Sequence, residues 1–267
     1  MQAGTHPDYY LLAPEKWKAT LGIDAVREVS EKLYEHSRLG GAKVVWIPDA
    51  ALLTDAAANA LLKTLEEPPA NTWFFLACRE PARLLATLRS RCRLHHLAPP
   101  AENYASAWLG RETSSTPESI ITALRLCSGA PGAAVALLQP EQQAPRQALC
   151  QSVEQSVQSG DWLSLLGALN HEQVAERLHW LGALLLDAIK LQRNTTLLTN
   201  MDVIALVQIL AQQISERRLH AFLHALVECR EQLLTVVGVN RELLLTDLLL
   251  RVERYLQPGA TLPSSHL

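Results

Sequence analysis

Two hydrophobic rhythms run along this chain, and they change over at Pro99-Pro100. Upstream, short apolar runs alternate with segments of helical spacing. Tyr9 to Leu12 reads as a buried strand. Ile23 to Leu39 repeats at threes and fours through Ile23, Val26, Val29, Leu33 and Tyr34, which predicts a helix closed by Gly40-Gly41. Lys43 to Ile47 has the texture of a strand buried on both faces of a parallel sheet. Thr54 suits a helix cap; behind it Ala58, Leu61, Leu62 and Leu65 face inward and Asn59, Lys63 and Glu66 outward, until Pro68-Pro69 stops the helix. Trp73 to Cys78 reads as another buried strand, Pro81 to Thr87 as a short helix opened by proline, and Arg93 to Leu97 as a last strand. Strands alternating with helices predict a parallel α/β layer.

Downstream the strand signals stop. Ala101 to Arg111, Pro117 to Cys127 and Ala133 to Leu138 read as a small three-helix module, interrupted by Ser128-Gly129-Ala130-Pro131-Gly132. Gln139-Pro140 reads as a linker. Helices follow over 142–158, 161–169, 171–192, 200–213, 215–236 and 240–256. Leu223, Leu226, Val227, Leu233, Leu234 and Val237 form a wide apolar face, and Leu243 to Leu250 is richer still. Faces this apolar belong to the centre of a bundle or to an oligomer interface. The tail from Pro258 reads as loose. The expected domains are therefore 1–99 (α/β), 100–140 (a small helical module) and 141–267 (all-α).

Composition narrows the function. Of 267 residues, 48% are hydrophobic and 19% charged, which gives a globular protein ample core. The net charge of −3 and the lack of a long Lys/Arg cluster argue against a free-standing nucleic-acid binder. Five scattered cysteines without a C-x-x-C pair signal neither a disulfide framework nor a zinc site, and fit small buried hydrophobes in a reducing cytoplasm. No apolar run approaches the roughly 18–20 residues that span a bilayer, so no membrane partner is expected.

Two strings carry more than packing. Asn59 to Pro69 reads N-A-L-L-K-T-L-E-E-P-P, and Leu88 to Arg93 reads L-R-S-R-C-R. Together they resemble the clamp-loader ATPases of the AAA+ class. The resemblance covers essentially the whole chain and implies its fold: part of a RecA-like parallel sheet domain at 1–99, a three-helix lid at 100–140, and a helical collar for oligomerisation at 141–267. It also implies a first strand, a phosphate-binding loop and a zinc-binding cysteine cluster upstream of Met1, so that an N-terminally truncated chain is expected.

The resemblance makes departures visible. Active relatives end the strand before the N-A-L-L-K helix in Asp-Glu, which organise Mg²⁺ and the attacking water; here Pro48 and Asp49 fall at those places. Proline cannot hold a metal. Asp49 reads more simply as a strand-end cap, because a Mg²⁺–nucleotide site needs carboxylates together with a phosphate cradle. The place of the γ-phosphate sensor falls on Cys78-Arg79, and that of the lid arginine on Ala130 to Ala133. Three nucleotide-contacting features are eroded while the packing residues around them are kept.

An arginine at a domain rim is by default a surface ion pair, worth about 0–1 kcal/mol. The resemblance implies something else for Arg91, the middle of Ser90-Arg91-Cys92: a finger that reaches the nucleotide of the adjacent subunit. Such fingers, supplied in trans, are worth roughly 10³–10⁵ in rate, because they neutralise charge that develops in the transition state. Ser90 is expected to fix the turn and Cys92 to be packed; Arg89 and Arg93 read as surface residues. The resemblance implies a non-hydrolysing subunit of the DNA polymerase III clamp loader, which loads the sliding clamp on primed DNA. ATP and Mg²⁺ would be held by a neighbouring gamma/tau-type subunit, with gamma/tau and delta subunits as partners and no nucleotide, zinc or other cofactor in this chain. Two rivals remain, an autonomous AAA+ ATPase or helicase-like motor and a pure scaffold.

The histidines add little. His220 and His224 stand one helical turn apart, but the first has no glutamate beside it and no third ligand is evident, so no metal is expected. His95 and His96 point to opposite faces of the expected strand, and His6 belongs to an H-P-D turn. Asp187 and Glu253 read as lone acids on helix faces.

Overall fold

A computed structural model describes residues 6–15, 18–236, 238–257 and 259. Val237 and the tail from Pro258, Gly259 excepted, lie outside the described residues. The chain divides into two compact units, residues 1–97 and 98–267.

In the first unit three parallel strands pair in the order β1 (Tyr9–Leu11), β2 (Lys43–Ile47), β3 (Thr72–Leu76). The register sets Val45 beside Phe74 and Ile47 beside Leu76. Helices α1 (Ile23–Leu33), α2 (Asp55–Glu66) and the short α3 (Ala86–Arg89) share one core with that face of the sheet, through Val26, Leu33, Ala57, Ala58, Leu61 and Leu88. The opposite face carries Leu11, Trp46 and Phe75 in one row. Two members of that face, Trp73 and Phe75, are 61% and 52% exposed. The expectation that these strands are buried on both faces is thus corrected: successive side chains alternate sides, and these helices cover one side.

Three element boundaries also differ from expectation. Helix α1 ends at Leu33 rather than Leu39, because buried Lys43 donates to the carbonyls of Leu33 and Glu35, taking the place of further helical turns. The Pro81–Thr87 helix is a 3-10 turn over Pro81–Arg83, with α3 starting only at Ala86. Arg93 to Leu97 forms no strand. Its two leucines, three apart, fall on opposite faces of an extended chain, and Leu94 and Leu97 are 70% and 83% exposed.

The second unit is helical throughout. Helices α4 (Glu102–Glu112), α5 (Pro117–Leu126) and α6 (Pro131–Leu137) precede α7 (Pro140–Ser159), α8 (Leu166–Leu169), α9 (Val174–Gln192), α10 (Ile204–Gln213), α11 (Glu216–Thr235) and α12 (Arg241–Leu256). The Gln139-Pro140 linker is absent: Pro140 is the first residue of α7, where its missing N–H costs nothing. Gly160, at φ +78°, closes that helix. One continuous core runs from Ala105 to Val252, with Trp162 set edge-on to Phe222 at 5.2 Å. No single described helix is long and apolar enough to cross a membrane.

A polar hub is embedded in this core. Asp187, fully buried on α9, accepts from the backbone N–H groups of Thr199 at 2.8 Å and Asn200 at 2.7 Å, from the Asn200 amide at 2.8 Å, and from Lys190 Nζ at 3.2 Å. Asn200 Oδ1 in turn accepts from Arg146 Nη2 at 2.9 Å, and Arg146 is ion-paired to Asp202. Thr122 of α5 donates to Asp202 Oδ1 at 3.0 Å and accepts from the Met201 N–H at 2.9 Å. Asp187 is therefore not a lone acid on a helix face but the anchor of the segment that joins α5, α7 and α9. Glu253 is likewise engaged, accepting from the N–H groups of Trp162 and Leu163 at 3.0 and 3.1 Å. Asp187→Ala would strand three N–H donors and the Lys190 charge; chemical denaturation is expected to register a loss of about 3 kcal/mol.

Asp8, buried beside β1, ties down the loop after α1. Its carboxylate accepts from the N–H groups of Arg38 at 2.9 Å and Leu39 at 3.1 Å and from the Ser37 hydroxyl. The Arg38 N–H above all holds its carboxyl below the usual range, against the opposing effect of burial. Its folded pKa thus lies under the unfolded value of about 3.9, so the group adds stability above that pH and loses it as pH falls through the folded pKa. Asp8→Asn is expected to be less stable than wild type at pH 7, the difference shrinking in denaturation curves below about pH 3.9.

Candidate functional site

The sequence places its candidate chemistry at two points of the first unit: the end of β2 and the turn after α3. At the first, Pro48 is exposed and offers no ligand. Asp49 Oδ1 accepts from the Ala51 N–H at 3.0 Å and caps the 3-10 turn Ala50–Leu52. That carboxylate oxygen is engaged by its own backbone. Thr54 then caps α2, its hydroxyl accepting from the Ala57 N–H at 3.2 Å. Of the two positions, Pro48 brings no side-chain ligand and Asp49 serves as a cap. Cys78 follows β3 and is half-buried.

In the second unit, Gly129 has φ +81°, and a Cβ there would lie 2.8 Å from the Pro99 Cβ. Both the backbone conformation and the close approach require glycine. The following residues Ala130-Pro131-Gly132-Ala133 open α6 and bring no charged group.

The turn after α3 is built around one carbonyl. Leu88, 1% exposed, pins the short helix to the core, and Ser90 closes it with its N–H on Ala86 O. The Ser90 hydroxyl donates to Thr87 O at 3.0 Å, and Arg91 Nη1 donates to the same oxygen at 2.9 Å. Arg91 Nε donates to Glu66 Oε1 at 2.6 Å, and Nη2 joins the same carboxylate oxygen. Glu66 is the last residue of α2, so the two motifs meet: the N-A-L-L-K-T-L-E-E-P-P helix ends on the arginine of Ser90-Arg91-Cys92. The side chains of Arg91 and Glu66 are 30% and 48% exposed, which holds the pair to about 0–1 kcal/mol of stability. Cys92 is half-buried, and burial pushes its thiol up. Arg89 and Arg93 are exposed and make no ion pair among the described residues.

The pairing of Glu66 with Arg91 was not visible in the sequence, where Glu66 is one of several outward-facing positions of an amphipathic helix. The histidines stand apart from this site. His220 and His224 face Glu216 and Glu228 at 3.6 and 3.5 Å. His6 Nδ1 accepts from the Asp8 N–H, as a turn residue. No group of three His, Cys, Asp or Glu side chains among the described residues is arranged to hold a metal ion.

A three-stranded parallel sheet with helices, followed by a lid and an all-helical C-terminal domain, marks the AAA+ clamp-loader class, and matching family profiles agree. Residues 1–101 match "DNA polymerase III, delta subunit", 100–139 match "DNA polymerase III subunit delta', AAA+ ATPase lid domain", and 140–254 match "DNA polymerase III, delta subunit, C terminal". DNA polymerase III subunit delta' of Escherichia coli is 66% identical over 267 residues, covering 100% of this chain and 80% of that protein. The subunit delta' of Yersinia pestis is 51% identical over 99% of this chain and 80% of its own length, and that of Haemophilus influenzae 36% over 94% and 77%. The chain belongs to the DNA polymerase III subunit delta' family.

The capping role of Asp49 has a measurable consequence. Asp49→Ala is expected to lower stability by about 1 kcal/mol in urea denaturation, the usual worth of an N-terminal cap.

Proposed function

We propose that this chain is the non-hydrolysing subunit of a DNA polymerase III clamp loader, in which Arg91 acts as a finger on ATP and Mg²⁺ held by a neighbouring gamma/tau-type subunit. The observation that carries the reading is the contrast between two groups of one domain. Asp49 is engaged as a cap next to a proline, whereas Arg91 sits on a built turn with its side chain 30% exposed. A planar, permanently charged fork is suited to the charge that spreads over a transferring phosphoryl group.

The partners of this reading are the gamma/tau and delta subunits, with the sliding clamp and primed DNA reached through the complex, in the cytoplasm. Its organisation is a partial RecA-like domain at 1–99, a lid at 100–140 and a collar at 141–267, the collar joining the subunits through apolar faces. Leu234 and Leu243, 60% and 66% exposed, offer such surface.

The test is a loader reconstituted with Arg91→Ala. The complex is expected to assemble, seen by gel filtration, while hydrolysis at the site served by Arg91 falls by about 10³-fold, with the DNA-stimulated ATPase as readout. An unchanged ATPase would identify a pure scaffold. Turnover of Mg²⁺–ATP by the isolated chain would favour an autonomous motor.

A further inference from the structure

Glu66 is oddly placed for a residue with no task. It is the last residue of α2, where helix carbonyls already concentrate negative charge, and Glu67 follows it. A carboxylate there is locally unfavourable unless a cation meets it. Glu67 is exposed and makes no ion pair among the described residues; Glu66 meets Arg91. The pair links two rigid supports. Helix α2 is fixed in the core by Ala57, Ala58 and Leu61, all at most 2% exposed, and the arginine turn by Leu88 at 1%.

A guanidinium has five N–H donors in a fixed plane. Here Nε and Nη2 are directed to Glu66 Oε1 and Nη1 to Thr87 O. Three donors are used, and one N–H remains on each terminal nitrogen. Those two are charged donors that a phosphate can accept from. Held only by Thr87 O, the side chain could swing about its four χ angles; the carboxylate is a second point of attachment that narrows the orientations of its plane.

We infer that Glu66 is a positioning residue for Arg91: it holds one edge of the guanidinium so that the remaining two N–H groups face a phosphate of the neighbouring subunit's nucleotide. The inference rests on the finger reading of Arg91. Glu66 touches no reacting atom, and its effect passes wholly through the arginine. A modest error in the aim of a charged group is enough to slow a phosphoryl transfer.

A mutant cycle in the reconstituted loader separates the possibilities. Glu66→Ala is expected to lower kcat of the DNA-stimulated ATPase roughly tenfold with KM for ATP within about twofold, while Glu67→Ala leaves both unchanged. The Glu66→Ala/Arg91→Ala double variant is expected to match Arg91→Ala alone, since the two residues act as one unit. If Arg91→Ala slows hydrolysis but Glu66→Ala does not, the finger reading stands and the positioning role is overturned. A further fall of equal size when Glu66→Ala is added to Arg91→Ala overturns it too, because Glu66 would then act on something else. If Arg91→Ala itself has no effect, the finger reading fails and takes this inference with it.

Discussion

One-sided packing of α2 is the constraint on which the first unit depends. Its small residues Ala57 and Ala58, with Leu61, are buried in the core shared with α1, α3 and one face of the sheet. Helix α1 is the neighbour against which α2 packs most closely. That packing places the backbone at the end of the helix, and Glu66, half exposed, projects from it at the rim. Arg91, arriving from a turn anchored by Leu88, is met there and at the Thr87 carbonyl. The energy of that contact is small, since both partners are partly exposed. Its value lies in direction, which a rigid backbone can supply and a long side chain alone cannot.

The second unit solves a different problem. Several helices share one apolar core, yet the segment 199–202 carries backbone N–H groups into that core that have to be satisfied. Asp187 provides the acceptors, and Asn200, Arg146, Asp202 and Thr122 pass the hydrogen bonds on to α7 and α5. A second bridge runs beside it: Arg125 of α5 is paired with Glu102 of α4 at 2.7 Å and also donates to the Leu198 carbonyl. The buried charge of Asp187 adds less to stability than its removal takes away, because partners left alone in the core are strongly penalised. The three helices after Pro99-Pro100 are thereby held to those that follow by specific polar contacts as well as by apolar packing. Burial also quiets the chemistry of this unit. The thiols of Cys150 and Cys229 are each pushed up to about 11 by desolvation, so they act as small apolar side chains near neutral pH.

What the sequence disclosed was local. The α/β-to-all-α change and the helix that runs through Asn59 to Glu66 are written in the periodicities. Their readings hold because neighbours in sequence decide them. The pairing of Glu66 with Arg91 spans 25 positions and is set by where two elements meet in space, so no local pattern encodes it. Asp187 shows the same limit: within Leu181 to Ile189 it reads as an interruption, and its purpose appears only when residues 12 and 13 positions on fold back to it. The strands misled for a related reason. An apolar run such as Trp73 to Leu76 states that a side chain would gain from burial, not which side of the sheet receives a covering layer.

The role proposed for Arg91 is to serve a phosphate held by an adjacent subunit. A high-resolution structure of the assembled clamp loader with a non-hydrolysable ATP analogue tests that directly. It should place the Arg91 fork about 3 Å from phosphate oxygens of the adjacent subunit's nucleotide, the usual span of such a bond, with Glu66 still on its other edge. An Arg91 paired with Glu66 but remote from every bound phosphate would contradict it.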